Sequence, residues 1–237
     1  MQYDILIVIA FIISIIYMMF RSRKKVQIKQ KVISLLIVVF CAVIFARIFW
    51  VIEKIEYFLS GIYNISEALE FGIGKFKMIG VLVGTIIGML WVSKIYKDSS
   101  KDIRNVVIEG MFLFAALAKF VCAIKGVCCF GKETGIDFGI SYPDKNMFNL
   151  FPTAYIEASV LFSCFLVLHI LKRKIESDQI RISFVFSIYM LIRICLLEGL
   201  YANTPIFGDI KDRVIYFIMI ISCLVIICIN ERKYKKI

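Results

Sequence analysis

The chain has 237 residues, 61% of them hydrophobic, with a mean hydropathy of +0.87. That leaves too little polar surface to clothe a water-soluble domain of this size, so the composition points to an all-α integral membrane protein. The formal net charge of +11 sits in short runs between apolar stretches, which argues against a nucleic-acid partner and fits contact with an anionic inner leaflet.

A membrane span needs roughly 20 mainly apolar residues. In chain order the candidates lie at about 3–20, 33–51, 78–95, 106–124, 153–171, 182–200 and 214–229, so about seven transmembrane helices are predicted. The first has no small-residue cleavage site before Arg21 and is read as a retained span. Basic residues crowd alternate connections: Arg21, Arg23, Lys24 and Lys25; Lys94, Lys97, Lys101 and Arg104; Lys172, Arg173 and Lys174; and the tail from Arg232. Acids balance bases in the connections between these. The positive-inside rule then places the N-terminus outside and the C-terminus in the cytoplasm. The whole chain, 1–237, reads as a single transmembrane domain with long extracytoplasmic loops at about 52–77 and 125–152. Gly126, Gly131, Gly135, Gly139 and Pro143 make the second loop largely non-helical. Its aromatic residues predict that it folds onto the outer membrane–water interface.

Within the third span Gly80, Gly84 and Gly88 recur every four residues and predict a helix-packing face. Most of the cysteines lie inside apolar spans, where a thiol behaves as a small hydrophobe. Only Cys122, Cys128 and Cys129 lie near a loop, and a disulfide from Cys122 to one of the other two is open. A single histidine, His169, stands near the cytoplasmic end of the fifth span and is read as structural. No metal constellation, nucleotide loop or Ser-His-Asp set is present in the sequence, so no metal and no cofactor are expected.

Charged residues inside a membrane are costly and each needs a reason. Arg47, Lys119, Glu157, Arg193 and Glu198 all fall in the outer halves of their spans. They read either as snorkelling side chains and structural ion pairs, or as a cationic pocket at headgroup depth, where Arg and Lys would donate to a phosphate. Tyr189 and Arg193, four residues apart, lie on one helix face. That pair could grip one headgroup, or be an interfacial tyrosine beside a snorkelling arginine.

The stretch Ala118-Lys119-Phe120-Val121-Cys122-Ala123-Ile124-Lys125-Gly126-Val127-Cys128-Cys129-Phe130-Gly131-Lys132 resembles the signature of the prolipoprotein diacylglyceryl transferases, roughly G-R-x-G-N-x-x-N-G-x-x-x-G-R. Phe138-Gly139-Ile140 with Pro143 is similar to that family's W/F-G-I…P. Pro152-Thr153-Ala154-Tyr155-Ile156-Glu157 is similar to its P-S/T-Q-L-Y-E, and Tyr189-Met190-Leu191-Ile192-Arg193 to its Y-G-x-x-R. Ala46-Arg47-Ile48 and Gly80-Val81-Leu82 fall where the family has G-A-R-L and H-G-G-L. Order, spacing and the seven-span outline match over nearly the whole chain. There are departures. The signature Arg is Lys119, its Asn positions are Cys122 and Lys125, and the register between Gly126 and Gly131 is longer by one. The Gln before the Tyr-Glu pair is Ala154, the His is replaced by Met78 or Ile79, and Glu198 follows Arg193 by five residues instead of four.

The resemblance implies transfer of a diacylglyceryl group from phosphatidylglycerol, or another anionic phospholipid, to a cysteine thiol of a lipoprotein precursor in the bacterial cytoplasmic membrane. On that reading Lys119, Arg193, Glu157 and Tyr189 carry the reaction. Arg47, Lys119, Lys132, Arg193, Gly131 and Glu198 hold the lipid, and Glu157 or Glu198 is the acid–base residue in place of the missing His. Two other readings follow from the same residues: a non-catalytic lipid- or partner-binding protein on this scaffold, and a small transporter.

Overall fold

The computed structural model describes residues 2–21, 27–64, 66, 77–96, 100–126, 130–134, 139–142, 147–171, 178–197, 200–201 and 210–234. The helices are α1 (Gln2–Arg21), α2 (Ile28–Glu53), a short α3 (Ile55–Leu59), α4 (Met78–Ile95), α5 (Ser100–Lys125), α6 (Thr153–Leu171), α7 (Asp178–Ile192) and α8 (Ile210–Tyr234). A π turn, Arg193–Leu197, continues α7. Each long helix overlaps one of the apolar stretches read from the sequence; in the stretch 182–200 the α-helix ends at Ile192 and the π turn at Leu197. Among the described residues, 28–53, 103–125 and 153–171 are long and apolar enough to cross a membrane by length and composition, and three shorter apolar helices accompany them.

The side-chain distribution explains why lipid must surround these helices. On α1, Ile5, Val8, Ile9, Ile12, Ile13 and Ile16 are exposed while Ala10 and Ser14 are buried. On α8, Val214, Phe217, Ile218 and Ile221 are exposed while Tyr216 and Ile220 are buried. Apolar bulk covers the outer face as well as filling the interior, whereas a water-soluble protein would clothe its outside with polar groups. The chain is a helical membrane protein.

It forms two compact units, 21–107 and 1–20 with 108–237. In the first, α4 lies along α2, and its glycines are the reason the two backbones approach so closely. A Cβ on Gly80 would strike the backbone of Phe45 and Ala46, one on Gly84 that of Cys41 and Ala42, and one on Gly88 would lie 2.8 Å from Val38 Cα. The small-residue face expected from the sequence therefore packs two helices together. Next to it the Lys77 amide donates to Ala46 O at 3.1 Å, and Lys77 pairs with Glu53 at 2.7 Å.

In the second unit α7 packs between α6 and α8. Met18 on α1 fills the gap over Gly110 of α5. The Tyr17 hydroxyl donates to buried Glu109 at 2.7 Å and lies 2.9 Å from His169 Nδ1. One phenol has one proton, so the imidazole Nδ1 is the donor in that second bond. His169 thus ties α6 to α1 and α5, in keeping with a structural residue. Cys122 is buried, in hydrogen-bond contact with Tyr3 Oη at 3.2 Å; Cys128 and Cys129, and with them the disulfide left open above, lie outside the described residues.

Of the loop 125–152, the described part forms a small antiparallel hairpin, β1 (Ile140–Tyr142) and β2 (Met147–Leu150). Its non-helical character follows the glycine spacing. Helix α5 stops because Gly126 takes φ +54°, a left-handed cap that suits glycine. The Tyr142 ring lies against it, and the Tyr142 hydroxyl donates to Ala123 O at 2.5 Å. Burial, and Tyr155 beside it, push the Tyr142 phenol above its ordinary value.

Candidate active site

The candidate site is organised around Glu157. This carboxylate sits in the first turns of α6 and is wholly buried. A buried charge is tolerated only when paired and hydrogen-bonded, and Glu157 is both. Lys119 Nζ from α5 lies 2.7 Å from Oε2. Arg193, at the start of the π turn, donates from a terminal guanidinium nitrogen to Oε1. The Tyr189 hydroxyl donates to the same oxygen at 3.1 Å, and the Tyr201 hydroxyl donates to Oε2. Two cations and two phenols from α5, α7 and the segment beyond it therefore converge on one carboxylate.

The four-residue spacing of Tyr189 and Arg193 brings both to one acceptor, as a shared helix face requires. Tyr189 is held from behind by Phe112, whose ring meets it edge-on at 6.2 Å. Among the described residues, both cations face this one carboxylate.

Tyr201 was not among the residues singled out in the sequence. Besides its bond to Glu157, its ring lies 5.1 Å from the Arg193 guanidinium carbon and 5.5 Å from Lys119 Nζ. Both cations thus sit in cation–π range of one ring. The backbone explains how it gets there. The Lys132 amide donates to Leu200 O at 2.9 Å, and the Lys132 carbonyl accepts from the Phe151 amide at 2.8 Å. Gly131 and Tyr201 form an antiparallel bridge. The strand after α5 is thereby clamped between the entry to α6 and the segment carrying Tyr201. The helix that leads to this segment carries one extra residue between Arg193 and Glu198 relative to the family pattern. A π turn takes up one inserted residue without ending the helix, and it lies at Arg193–Leu197.

Gly131 is explained by the same clamp. A Cβ there would meet the Phe151 carbonyl and come within 2.6 Å of Thr153 Oγ1. Lys132 contributes its backbone to the clamp, and its side chain is half-buried. Arg47 belongs to the other compact unit, where it is buried and its guanidinium carbon lies 4.3 Å from the Trp50 ring centre. Glu198 lies outside the described residues. Of the residues proposed from the sequence, the structure therefore brings together Lys119, Glu157, Tyr189 and Arg193, with Gly131 and Lys132 in the strand that supports them.

The family model described as prolipoprotein diacylglyceryl transferase matches residues 1–229. A phosphatidylglycerol–prolipoprotein diacylglyceryl transferase of Listeria welshimeri is 23% identical over 243 residues, covering 98% of this chain and 86% of the relative. The enzyme of the same name from Listeria innocua is 23% identical over 241 residues, covering 97% and 85%. One from Listeria monocytogenes is 23% identical over 241 residues, again covering 97% and 85%. With a match over nearly its whole length, the chain belongs to the prolipoprotein diacylglyceryl transferase family.

Proposed function

We propose that this protein is a phosphatidylglycerol–prolipoprotein diacylglyceryl transferase whose reaction is organised by Glu157, Lys119, Arg193, Tyr189 and Tyr201. Family membership over residues 1–229 supports the reaction class, and the convergence of two cations on one buried carboxylate supports the choice of residues. The substrates are phosphatidylglycerol and the lipobox cysteine of a lipoprotein precursor. The cysteine sulfur attacks the glyceryl carbon that bears the phosphate, the carbon–oxygen bond to phosphate breaks, and glycerol phosphate leaves with the bonding electrons. The thiol proton passes to a base.

Each residue has a physical task. Lys119 and Arg193 neutralise the phosphate as the leaving group gains charge, which is where fixed cations lower a barrier most. Lys119 does so as a point charge, and Arg193 can offer a bidentate fork. Glu157 is the anion these cations hold in the structure, so an arriving phosphate competes with it for the same donors. As that exchange proceeds, Glu157 is left with its two phenols and becomes free to take the thiol proton. This substitutes for the family His, whose place is taken by Met78 or Ile79. Lys132 and Glu198 complete the lipid site in this reading.

The same proposal places the chain in the bacterial cytoplasmic membrane as a single seven-span domain, N-terminus outside, with the ion cluster toward the outer face. The alternation of basic and balanced connections supports that orientation. The test is a reconstituted transfer reaction with labelled phosphatidylglycerol and a lipobox peptide, run on the wild type and on Arg193→Ala.

A further inference from the structure

Thr153 is the first residue of α6 and has no task in the reaction set out above. It is wholly buried, and it stands four residues before Glu157, which is wholly buried too, so the two side chains lie on one face of the helix. Both hold the same short segment. The Thr153 hydroxyl donates to Leu200 O at 3.1 Å, and Glu157 accepts from the hydroxyl of the next residue, Tyr201. We propose that Thr153 is a positioning residue for the transfer reaction, fixing the backbone at Leu200 so that the Tyr201 phenol meets the Glu157 carboxylate. The inference rests on the functional reading above and adds a residue on which its geometry depends.

Three observations carry this role. The first is where the hydroxyl proton goes. A threonine at a helix start commonly turns its hydroxyl onto the amides of its own first turn. The nearer of the two carbonyls that Thr153 Oγ1 addresses is instead that of Leu200, 47 residues on. The other, Phe151 O, lies 3.4 Å away and already accepts from the Thr153 amide at 2.7 Å. A hydroxyl has one proton, and the shorter contact takes it.

The second is the state of Leu200 O. It accepts from the Lys132 amide at 2.9 Å as well as from Thr153, which occupies both lone pairs of a carbonyl oxygen. The two donors come from different elements, the strand after α5 and the start of α6. The carbonyl is therefore held from two directions, and its neighbour Tyr201 is bridged to Gly131.

The third is space. A Cβ on Gly131 would come within 2.6 Å of Thr153 Oγ1. The supporting strand thus lacks a side chain where the hydroxyl needs room to reach Leu200. The segment beyond the π turn is in this way tied to α6 at two consecutive residues, through the Leu200 carbonyl and the Tyr201 phenol.

The test removes the hydroxyl and keeps the shape. In reconstituted transfer from phosphatidylglycerol to a lipobox peptide, Thr153→Val should lower kcat about three- to tenfold, the loss expected for one neutral hydrogen bond. KM for the lipid should stay within about twofold of wild type, and Thr153→Ser, which keeps the hydroxyl, should stay within about twofold in kcat. In a Tyr201→Phe background, Thr153→Val should lower kcat by less than about twofold, because the bond it positions is already gone. Unchanged kcat in Thr153→Val overturns the inference. So does an equal loss in Thr153→Ser and Thr153→Val, or an equal loss from Thr153→Val in both backgrounds, since each is what packing alone would give. If Thr153→Val fails to insert, Thr153→Ala takes its place in the same comparison. If the wild type transfers nothing, the functional reading fails and the contact is read without turnover. Nitration of Tyr201 by tetranitromethane, located by mass spectrometry, should then be faster in Thr153→Val than in the wild type or Thr153→Ser. Equal nitration in all three overturns the positioning of Tyr201 by Thr153.

Discussion

Tyr201 donates its hydroxyl proton to Glu157, a residue 44 positions earlier in the chain, and holds both of that carboxylate's cations within cation–π range of its ring. The bond joins the entry of α6 to the segment following the π turn. In the reaction proposed above, Tyr201 is a positioning residue that acts through Glu157.

Tyr201→Phe keeps the ring and removes the bond. A hydrogen bond to a charged group contributes about 1.5–3 kcal/mol, so kcat should fall roughly 10- to 100-fold with KM for the lipid little changed. Tyr201→Ala, which also removes the ring from beneath Lys119 and Arg193, should raise KM as well. Steady-state kinetics on both variants separates the two effects.

Glu157→Gln removes the anion shared by buried Arg193 and half-buried Lys119. Breaking a buried pair by removing one partner costs about 3–5 kcal/mol, and the thermal midpoint in detergent should fall accordingly. Replacing one cation as well, as Lys119→Met with Glu157→Gln, should recover part of that loss because fewer buried charges are left uncompensated. Activity should stay lost in both. Additive losses in the double variant would show that Lys119 and Glu157 do not act as a pair.

How much of this was legible in the sequence depends on the range of the interaction. The helices were legible because each span carries its apolar signal within its own 20 or so residues. That α4 packs a helix against its small-residue face was legible because Gly80, Gly84 and Gly88 announce it by spacing, but spacing did not say that α2 is the partner. Lys119, Glu157 and Arg193 stood out because charge in a membrane is expensive, and Tyr189 by its four-residue spacing from Arg193. Tyr201 did not, since a tyrosine beside a span is ordinary at a membrane interface. Its place is set by a backbone bridge to Gly131 that no local pattern encodes. The Tyr17–Glu109–His169 contact was hidden for the same reason: three helices must pack before those side chains meet.

Gly131→Ala tests the clamp. The added methyl would be forced against the Phe151 carbonyl and Thr153 Oγ1, and overpacking of that kind costs about 1–3 kcal/mol. Activity should fall while the helices remain inserted. Hydrogen exchange at the Lys132 and Phe151 amides should speed up; unchanged protection there would contradict the clamp.

The Tyr142 phenol has a folded-state pKa above its ordinary value, so the protonated form is favoured in the fold. Its contribution to stability is fully present below about pH 10, the ordinary tyrosine value, and is lost as pH rises through the raised folded value. Thermal stability of the wild type should therefore decline with pH in that alkaline window, and Tyr142→Phe should decline less. Identical alkaline profiles would show that Tyr142 does not support the end of α5 as a proton donor.

The central claim is tested most directly by mass spectrometry of a lipobox peptide incubated with reconstituted protein and labelled phosphatidylglycerol. The account predicts that the peptide gains one diacylglyceryl group, that glycerol phosphate is released, and that both signals vanish in an Arg193→Ala variant still inserted in the membrane. Transfer at the wild-type rate in Arg193→Ala would contradict the assigned site, and no transfer by the wild type would contradict the assigned reaction.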